Sequence, residues 1–192
     1  ELSLMINNEG WLNNGVTCNM KVIPCQGYDH SMSFSLPVKP SPNLPNDLSI
    51  NLYPSLCLFE ATDISVGRGT QTPFQIFGSP NLQSTDFSFI PVSIPGMSKH
   101  PKHEGEACHG LNFTEKESRF NLTYLIDSYK SYSDKQSFFT SRSFFNKLAG
   151  NKELISQIEN GLSEKEIRQT WQEDLMEFKK LRSKYLLYPD FE

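Results

Sequence analysis

Charge is placed so unevenly along this 192-residue chain that its two ends must fold by different means. Residues 1–100 hold 4 Lys/Arg and 7 Asp/Glu, whereas residues 141–192 hold 9 of each. The last part therefore has the material for helices with charged outer faces, and the first part does not. Prolines sharpen the contrast. Lys39-Pro-Ser-Pro-Asn-Leu-Pro45 puts three prolines in six residues. Each removes a backbone donor and pushes the residue before it to extended geometry. The result is a stiff loop with little entropy left to lose. These patterns predict a mixed α/β domain of α+β-like character. A loop- and strand-rich part with a small mixed sheet spans 1–115, and a C-terminal helical layer spans 116–192. Core material is supplied by 14 Phe, 7 Tyr and 2 Trp, a content that argues against disorder.

Net charge of −4 and a pI near 5.6 give no basic face, which argues against a nucleic-acid partner. The longest apolar runs are about five residues, far short of a membrane span. The opening at Glu1, without Met or signal peptide, reads as a piece of a longer protein or a processed product. Cys18, Cys25, Cys57 and Cys108 are compatible with two disulfides in any of three pairings. Their spacing fits no zinc motif. Cys57, in an apolar run, reads as a buried free thiol, and Cys18 and Cys25 fit a bridge across a hairpin. Asn112-Phe-Thr and Asn121-Leu-Thr match the glycosylation pattern, which also arises often by chance.

Element by element, Met5–Leu12 reads as a short helix ending in a glycine turn. Val16–Pro24 alternates and reads as a strand. Pro54 fits the first turn of a helix through Leu56, Leu58 and Phe59. Gln75–Phe77, Phe87–Ile94 and Ala107–Phe113 read as strands. Asn121–Tyr132 and Asn151–Asn160 read as helices, the second with Gly161 just past its end. Ser163-Glu-Lys-Glu166 is a capping box. Ile167, Trp171, Leu175, Phe178, Leu181 and Tyr185 follow it at helical spacing, predicting one long core-facing stripe.

Where charges are scarce, each one matters. Glu60 ends an apolar run, so desolvation would raise its pKa unless a cation or several donors compensate. Arg68 follows in Ser65-Val-Gly-Arg-Gly-Thr70, and its flanking glycines permit close approach of a ligand or of another segment. Two readings stand: a buried Glu60–Arg68 pair that pins the turn, or a guanidinium fork gripping a ligand carboxylate. The loop Lys99–His109 gathers His100, His103, His109, Cys108 and two glutamates without a recognised metal spacing. It reads as a polar rim or plain surface. His30 reads as structural. No nucleophile elbow and no activated cysteine is present.

Several stretches then look familiar together, in order: Asn8-Glu-Gly-Trp-Leu12, Val22-Ile-Pro24, Pro40-Ser-Pro-Asn-Leu-Pro45, Tyr53-Pro-Ser-Leu-Cys-Leu-Phe-Glu60, Ser65-Val-Gly-Arg-Gly-Thr70, Pro73-Phe-Gln-Ile-Phe-Gly78, Lys102-His-Glu-Gly-Glu-Ala-Cys108 and Tyr185-Leu-Leu-Tyr188. From residue 3 to 190 the chain resembles the C-terminal half of the NamZ-type exo-β-N-acetylmuramidases, long known as a domain of unknown function, and Bacteroides-like members above all. The resemblance implies a glycoside hydrolase that removes terminal N-acetylmuramic acid from peptidoglycan fragments. It implies a Rossmann-like N-terminal half that this chain lacks, and a substrate cleft between the halves. The principal catalytic glutamate would belong to that other half, leaving this chain inactive alone.

Carried onto this sequence, the motif marks Glu9, Ser41, Asn43, Arg68, Thr70 and His103 as substrate-binding and Glu60 as the local catalytic candidate. Arg68 suits the lactyl carboxylate of muramic acid. Ser41 and Asn43, on the stiff loop, suit hydroxyl or amide contacts. Glu60 serves as a second carboxylate or orients Arg68. A Lys-His pair precedes Lys102-His103, and the latter is taken as the family's pair. No cofactor and no metal is implied. The expected partners are muramic-acid sugars and the protein's own N-terminal half, with no nucleic acid and no membrane span. The expected location is periplasmic or extracellular. Two alternatives are a non-catalytic cell-wall binding or interaction module, and a metal-dependent hydrolase using His100, His103 and His109.

Overall fold

The first long helix starts where the proline loop releases the chain. Asn46 accepts from the Ser49 amide, and the Ser49 hydroxyl accepts from the Asn46 amide. This reciprocal cap fixes the start of α2. In the computed structural model, which describes residues 1–83, 86–117 and 119–190, α1 (Leu2–Asn8) precedes it and α2 spans Asp47–Leu56. Pro54 thus lies near the end of α2 rather than in its first turn. A 3₁₀ segment, Cys57–Ala61, continues from it.

Three strands follow: β1 (Ile76–Ser79), β2 (Phe87–Phe89) and β3 (Cys108–Asn112). They form a sheet of order β1-β3-β2. The class is the expected mixed α/β, and both strand pairings are antiparallel. Gly110 lies opposite Gly78, and a Cβ on Gly110 would sit 1.8 Å from the Phe77 carbonyl oxygen. Only glycine lets β1 and β3 approach so closely. Among the described residues six α-helices follow, α3 (Thr123–Ser131), α4 (Lys135–Phe138), α5 (Arg142–Ala149), α6 (Glu153–Glu159), α7 (Glu164–Thr170) and α8 (Gln172–Arg182), and then a 3₁₀ turn at Ser183–Tyr185. The sequence reading lacked α4 and α5. Gly161 follows the end of α6 in the left-handed region, as predicted.

The chain divides into two units, residues 36–167 and residues 1–35 with 168–192. The larger owns nearly all of the core. Phe59, Phe74, Phe138, Phe145, Leu52 and Leu56 are fully buried there, each worth about 1.5–3 kcal/mol on area alone. Phe59 stacks on Phe77 with ring centroids 4.7 Å apart. Tyr129, Tyr132, Phe138, Phe139 and Phe145 form an edge-on chain of rings under α3–α5.

In the smaller unit, Met5 is the one buried hydrophobic side chain among the described residues. Here the sequence reading needs two corrections. Val16–Pro24 is not a strand: among the described residues no ladder includes it, and it lies exposed. It is tied at its ends, where the Cys18 amide donates to Asn7 Oδ1 at 2.7 Å and the Cys25 amide to the Tyr188 hydroxyl at 2.6 Å. Alternation needs a neighbouring edge to become a strand, and none is supplied. The stripe from Ile167 to Tyr185 is divided at Trp171 into α7 and α8. Ile167 is fully buried, but Leu175 and Phe178 remain 41% and 44% exposed. Helical period reports which face is apolar, not whether anything covers it. The capping box itself is present, with Ser163 N–H on Glu166 Oε2 at 2.8 Å and Glu166 N–H on Ser163 Oγ at 3.3 Å. All four cysteines are free: Cys18 and Cys25 exposed, Cys57 half-buried and Cys108 buried.

Candidate functional site

The segment from Phe59 to Thr70 carries both singled-out charges and, past the 3₁₀ turn that ends at Ala61, has no helix or strand. Arg68 Nη2 donates to Glu60 Oε2 at 2.8 Å. The guanidinium also lies over the buried Phe74 ring, 5.2 Å from its centroid. Tyr53 packs at a tilt against the same Phe74 ring, with centroids 5.0 Å apart. Burial, then the negative charge of Glu60, pushes the Tyr53 hydroxyl above its ordinary pKa. The same two causes raise the Cys57 thiol, so it is no nucleophile.

The pair is not buried: the Arg68 side chain is 37% exposed and that of Glu60 20%. A pair so open to solvent contributes at most about 1 kcal/mol to stability. The turn does not depend on it. Thr70 N–H and Oγ–H both donate to the Gly67 carbonyl, at 3.1 and 2.7 Å. Phe74 N–H reaches the Val66 carbonyl and Val92 N–H the Gly69 carbonyl, at 2.8 and 2.9 Å. The two glycines serve segment packing. A Cβ on Gly67 would lie 2.5 Å from Ile76 Cγ1, and one on Gly69 would lie 2.6 Å from Pro101 Cγ and 2.7 Å from the Val92 carbonyl oxygen. Both take positive φ, +76° and +84°.

Asp63, between Glu60 and Arg68, anchors a second cluster. Its Oδ2 accepts from Ser79 Oγ at 3.0 Å, from Asn81 Nδ2 at 3.1 Å and from the Tyr132 hydroxyl. Burial acts to raise the carboxyl's pKa, but Tyr132, Asn81, the His103 charge and Ser79 outweigh it and hold it below the ordinary value. His103 Nε2 lies 2.6 Å from the Asp63 carbonyl oxygen and 3.4 Å from Oδ2, with the side chain only 12% exposed. Lys102 Nζ donates to the Thr62 carbonyl and to the Ile64 carbonyl, the latter at 3.1 Å. Burial lowers the Lys102 pKa, against the opposing pull of Asp63 and Glu60.

The remaining motif residues take different positions. Asn43 is 6% exposed; its Nδ2 donates to the Met97 carbonyl at 3.1 Å and its amide to Ser41 Oγ at 3.2 Å. Its Oδ1 is buried without a protein partner. Glu9 belongs to the smaller unit, where Oε1 accepts from the Tyr185 hydroxyl at 2.5 Å and lies 3.6 Å from Lys184 Nζ. Glu60, Arg68, Thr70 and His103 are thus gathered around one turn, and Ser41 with Asn43 forms a separate loop contact. His109 lies on β3. Among the described residues no group of three or more His, Cys, Asp or Glu side chains is placed to hold a metal ion.

Sequence reasoning missed Asp63 and Tyr132, and gave Lys102 no role. The scarcity of charge that singled out Glu60 applies equally to Asp63. Tyr132, 69 residues away, gave no local signal. A cleft of about 420 Å³ elsewhere on the larger unit lies between the sheet, at Phe77 and Leu111, and α3, at Tyr124 and Asp127; none of the seven residues marked as candidate site residues lines it.

Comparison with known proteins bears out the family but corrects the boundary, because residues 1–48 match the family's N-terminal part rather than its C-terminal half. The family model described as exo-beta-N-acetylmuramidase NamZ, C-terminal, matches residues 51–188, and the corresponding N-terminal model matches residues 1–48. The peptidoglycan beta-N-acetylmuramidase NamZ of Bacillus subtilis (strain 168) is 32% identical over 208 residues, covering 98% of this chain and 49% of that protein. The crystal structure of a DUF1343 family protein from Bacteroides fragilis NCTC 9343 superposes with a TM-score of 0.91 at 44% identity, over 98% of this chain and 54% of that one. A second DUF1343 family protein from the same strain, at 20% identity and a TM-score of 0.72, shares the fold, again over 98% of this chain and 55% of that one. This chain therefore spans about half the length of the relatives it matches. It belongs to the NamZ exo-β-N-acetylmuramidase family.

Proposed function

We propose that the chain forms one wall of the substrate cleft of a peptidoglycan glycosidase that releases terminal N-acetylmuramic acid. In this reading Arg68 grips the lactyl carboxylate. One observation carries it. Arg68 makes a single hydrogen bond, to Glu60, and among the described residues its Nε and Nη1 donors have no protein partner. A guanidinium held by one carboxylate oxygen and a buried ring is oriented, and its second Nη2 hydrogen, together with the free Nε–H or Nη1–H beside it, still offers one bidentate fork. Glu60 fixes its direction and supplies a carboxylate beside the sugar. The turn holds without the pair, so the pair's open geometry is explained by binding rather than by folding.

Thr70 and His103 hold the turn around this grip, Ser41 and Asn43 hold the separate proline loop, and Glu9 ties the smaller unit to its own C-terminal tail. The principal catalytic carboxylate comes from the part of the family's length that this chain does not cover. The exposed Trp11, Val22, Ile23, Phe34 and Val38 pack against that part, because so many bare apolar side chains mark an interaction surface. The substrate puts the protein in the periplasm or outside the cell.

The test is Arg68→Ala in the full-length protein, assayed on chromogenic glycosides of N-acetylmuramic acid and N-acetylglucosamine. Loss of the charged contact lowers kcat/KM for the muramic-acid glycoside by about 10- to 100-fold. The N-acetylglucosamine glycoside loses little, and the melting temperature stays within a few degrees. Equal losses on both would remove the lactyl grip. Full activity after deletion of this half would leave a binding module instead.

A further inference from the structure

Three consecutive backbone carbonyls between Glu60 and Arg68 point to side chains of one dipeptide. Lys102 takes those of Thr62 and Ile64, and His103 takes that of Asp63 between them. The other polar groups of the segment are also held. Thr62 N–H and Oγ–H donate to the Phe59 carbonyl, both at 2.9 Å, and Thr62 Oγ1 accepts from Ile64 N–H at 3.1 Å. Asp63 N–H reaches the Phe138 carbonyl at 2.8 Å. His103 adopts a left-handed backbone, φ +57°, to turn its ring onto this strip. A non-glycine residue keeps that conformation only where its surroundings enforce it.

We propose that Lys102 and His103 are positioning residues that lock the Glu60–Arg68 grip in its binding geometry. This rests on the muramic-acid reading above. Neither side chain is asked to touch the sugar. Lys102 is faced by Asp63 and Glu60. Glu60 in turn faces Arg68, Lys102, Tyr53 and Cys57. Asp63 faces His103, Lys102 and Tyr132. Removing Lys102 frees the carbonyls of Thr62 and Ile64, so the segment that joins Glu60 to Arg68 loses two of its ties.

The experiment uses the full-length protein with Lys102→Met, Lys102→Arg, His103→Ala and His103→Gln, read by kcat and KM on the two glycosides, beside wild type and Arg68→Ala. Lys102→Met and His103→Ala each raise KM for the muramic-acid glycoside about tenfold and leave kcat and the N-acetylglucosamine glycoside little changed. Lys102→Arg and His103→Gln, which keep donors, recover most of the loss. Should Lys102→Met fail to fold, His103→Ala with its rescue by His103→Gln carries the test. Wild-type KM in the folded variants, or equal losses on both glycosides, overturns the proposal while leaving the Arg68 grip intact. If Arg68→Ala itself shows no preference between the glycosides, the underlying reading fails, and the positioning role with it.

Discussion

Residues 59–70 and residues 16–35 are both nearly free of regular structure, yet they are opposite kinds of chain. In the first, successive carbonyls and amides find partners, and Phe59, Ala61, Ile64 and Val66 are buried. In the second, a few anchors such as Cys18 on Asn7 and Cys25 on Tyr188 hold a segment whose Val16, Val22, Ile23, Tyr28, Met32 and Phe34 face outward. Irregular backbone becomes rigid when side chains from elsewhere satisfy it, and stays dependent on a partner when they do not. The Ser65–Thr70 stretch of the family likeness sits in the rigid kind, whereas its Val22–Pro24 stretch sits in the other.

The sharpest way to break this comparison is one substitution made in both places. Gly69→Ala forces a Cβ into Pro101 and the Val92 carbonyl at positive φ. The left-handed penalty and the overpacking together cost about 2–5 kcal/mol. Gly27→Ala meets nothing within 4 Å and has φ +67°, so it costs only about 1–2 kcal/mol. Thermal unfolding of the two variants measures the gap. Equal losses would mean that the first region is no better packed than the second.

A smaller effect probes the polar side of the same turn. Asp63→Asn removes the charge that Ser79, Asn81, Tyr132 and His103 converge on. The expected cost is about 2 kcal/mol at neutral pH. The sign with pH follows from a folded pKa below the ordinary 3.8. The carboxylate's stabilisation is complete above 3.8 and is lost as pH falls from there through the lower folded value. The variant's stability curve lacks that acid loss. Urea unfolding at neutral and acid pH checks it, and parallel acid limbs in the two proteins would exclude Asp63 as their source.

These contrasts also explain what was legible in the sequence. The strands near Phe77, Phe87 and Cys108 and the helices near Leu125 and Ile155 were readable because their apolar periods match their burial. Glu60 and Arg68 stood out because charge is rare around them. The α2 start was missed because Pro54 drew attention from the Asn46–Ser49 cap. Asp63 and Tyr132 were invisible as a pair because their contact is made by the fold. Val16–Pro24 was misread because alternation describes a surface and not its partner. The Leu175–Phe178 face was misread for the same reason.

The smallest expected effect separates bare surface from hidden core. Ile23 is 82% exposed, so Ile23→Ser removes almost no burial from this chain and changes its unfolding free energy by less than about 0.5 kcal/mol. The same change should lower binding of a hydrophobic dye to the isolated chain, since it deletes part of the uncovered apolar surface. In the full-length protein, where the proposed packing covers that surface, the substitution should cost about 1–2 kcal/mol, the area term for one aliphatic side chain. A near-zero cost in both settings would leave the 16–35 segment without a covering partner. An equal and large cost in both would place Ile23 in a core of its own and erase the difference between the two irregular regions.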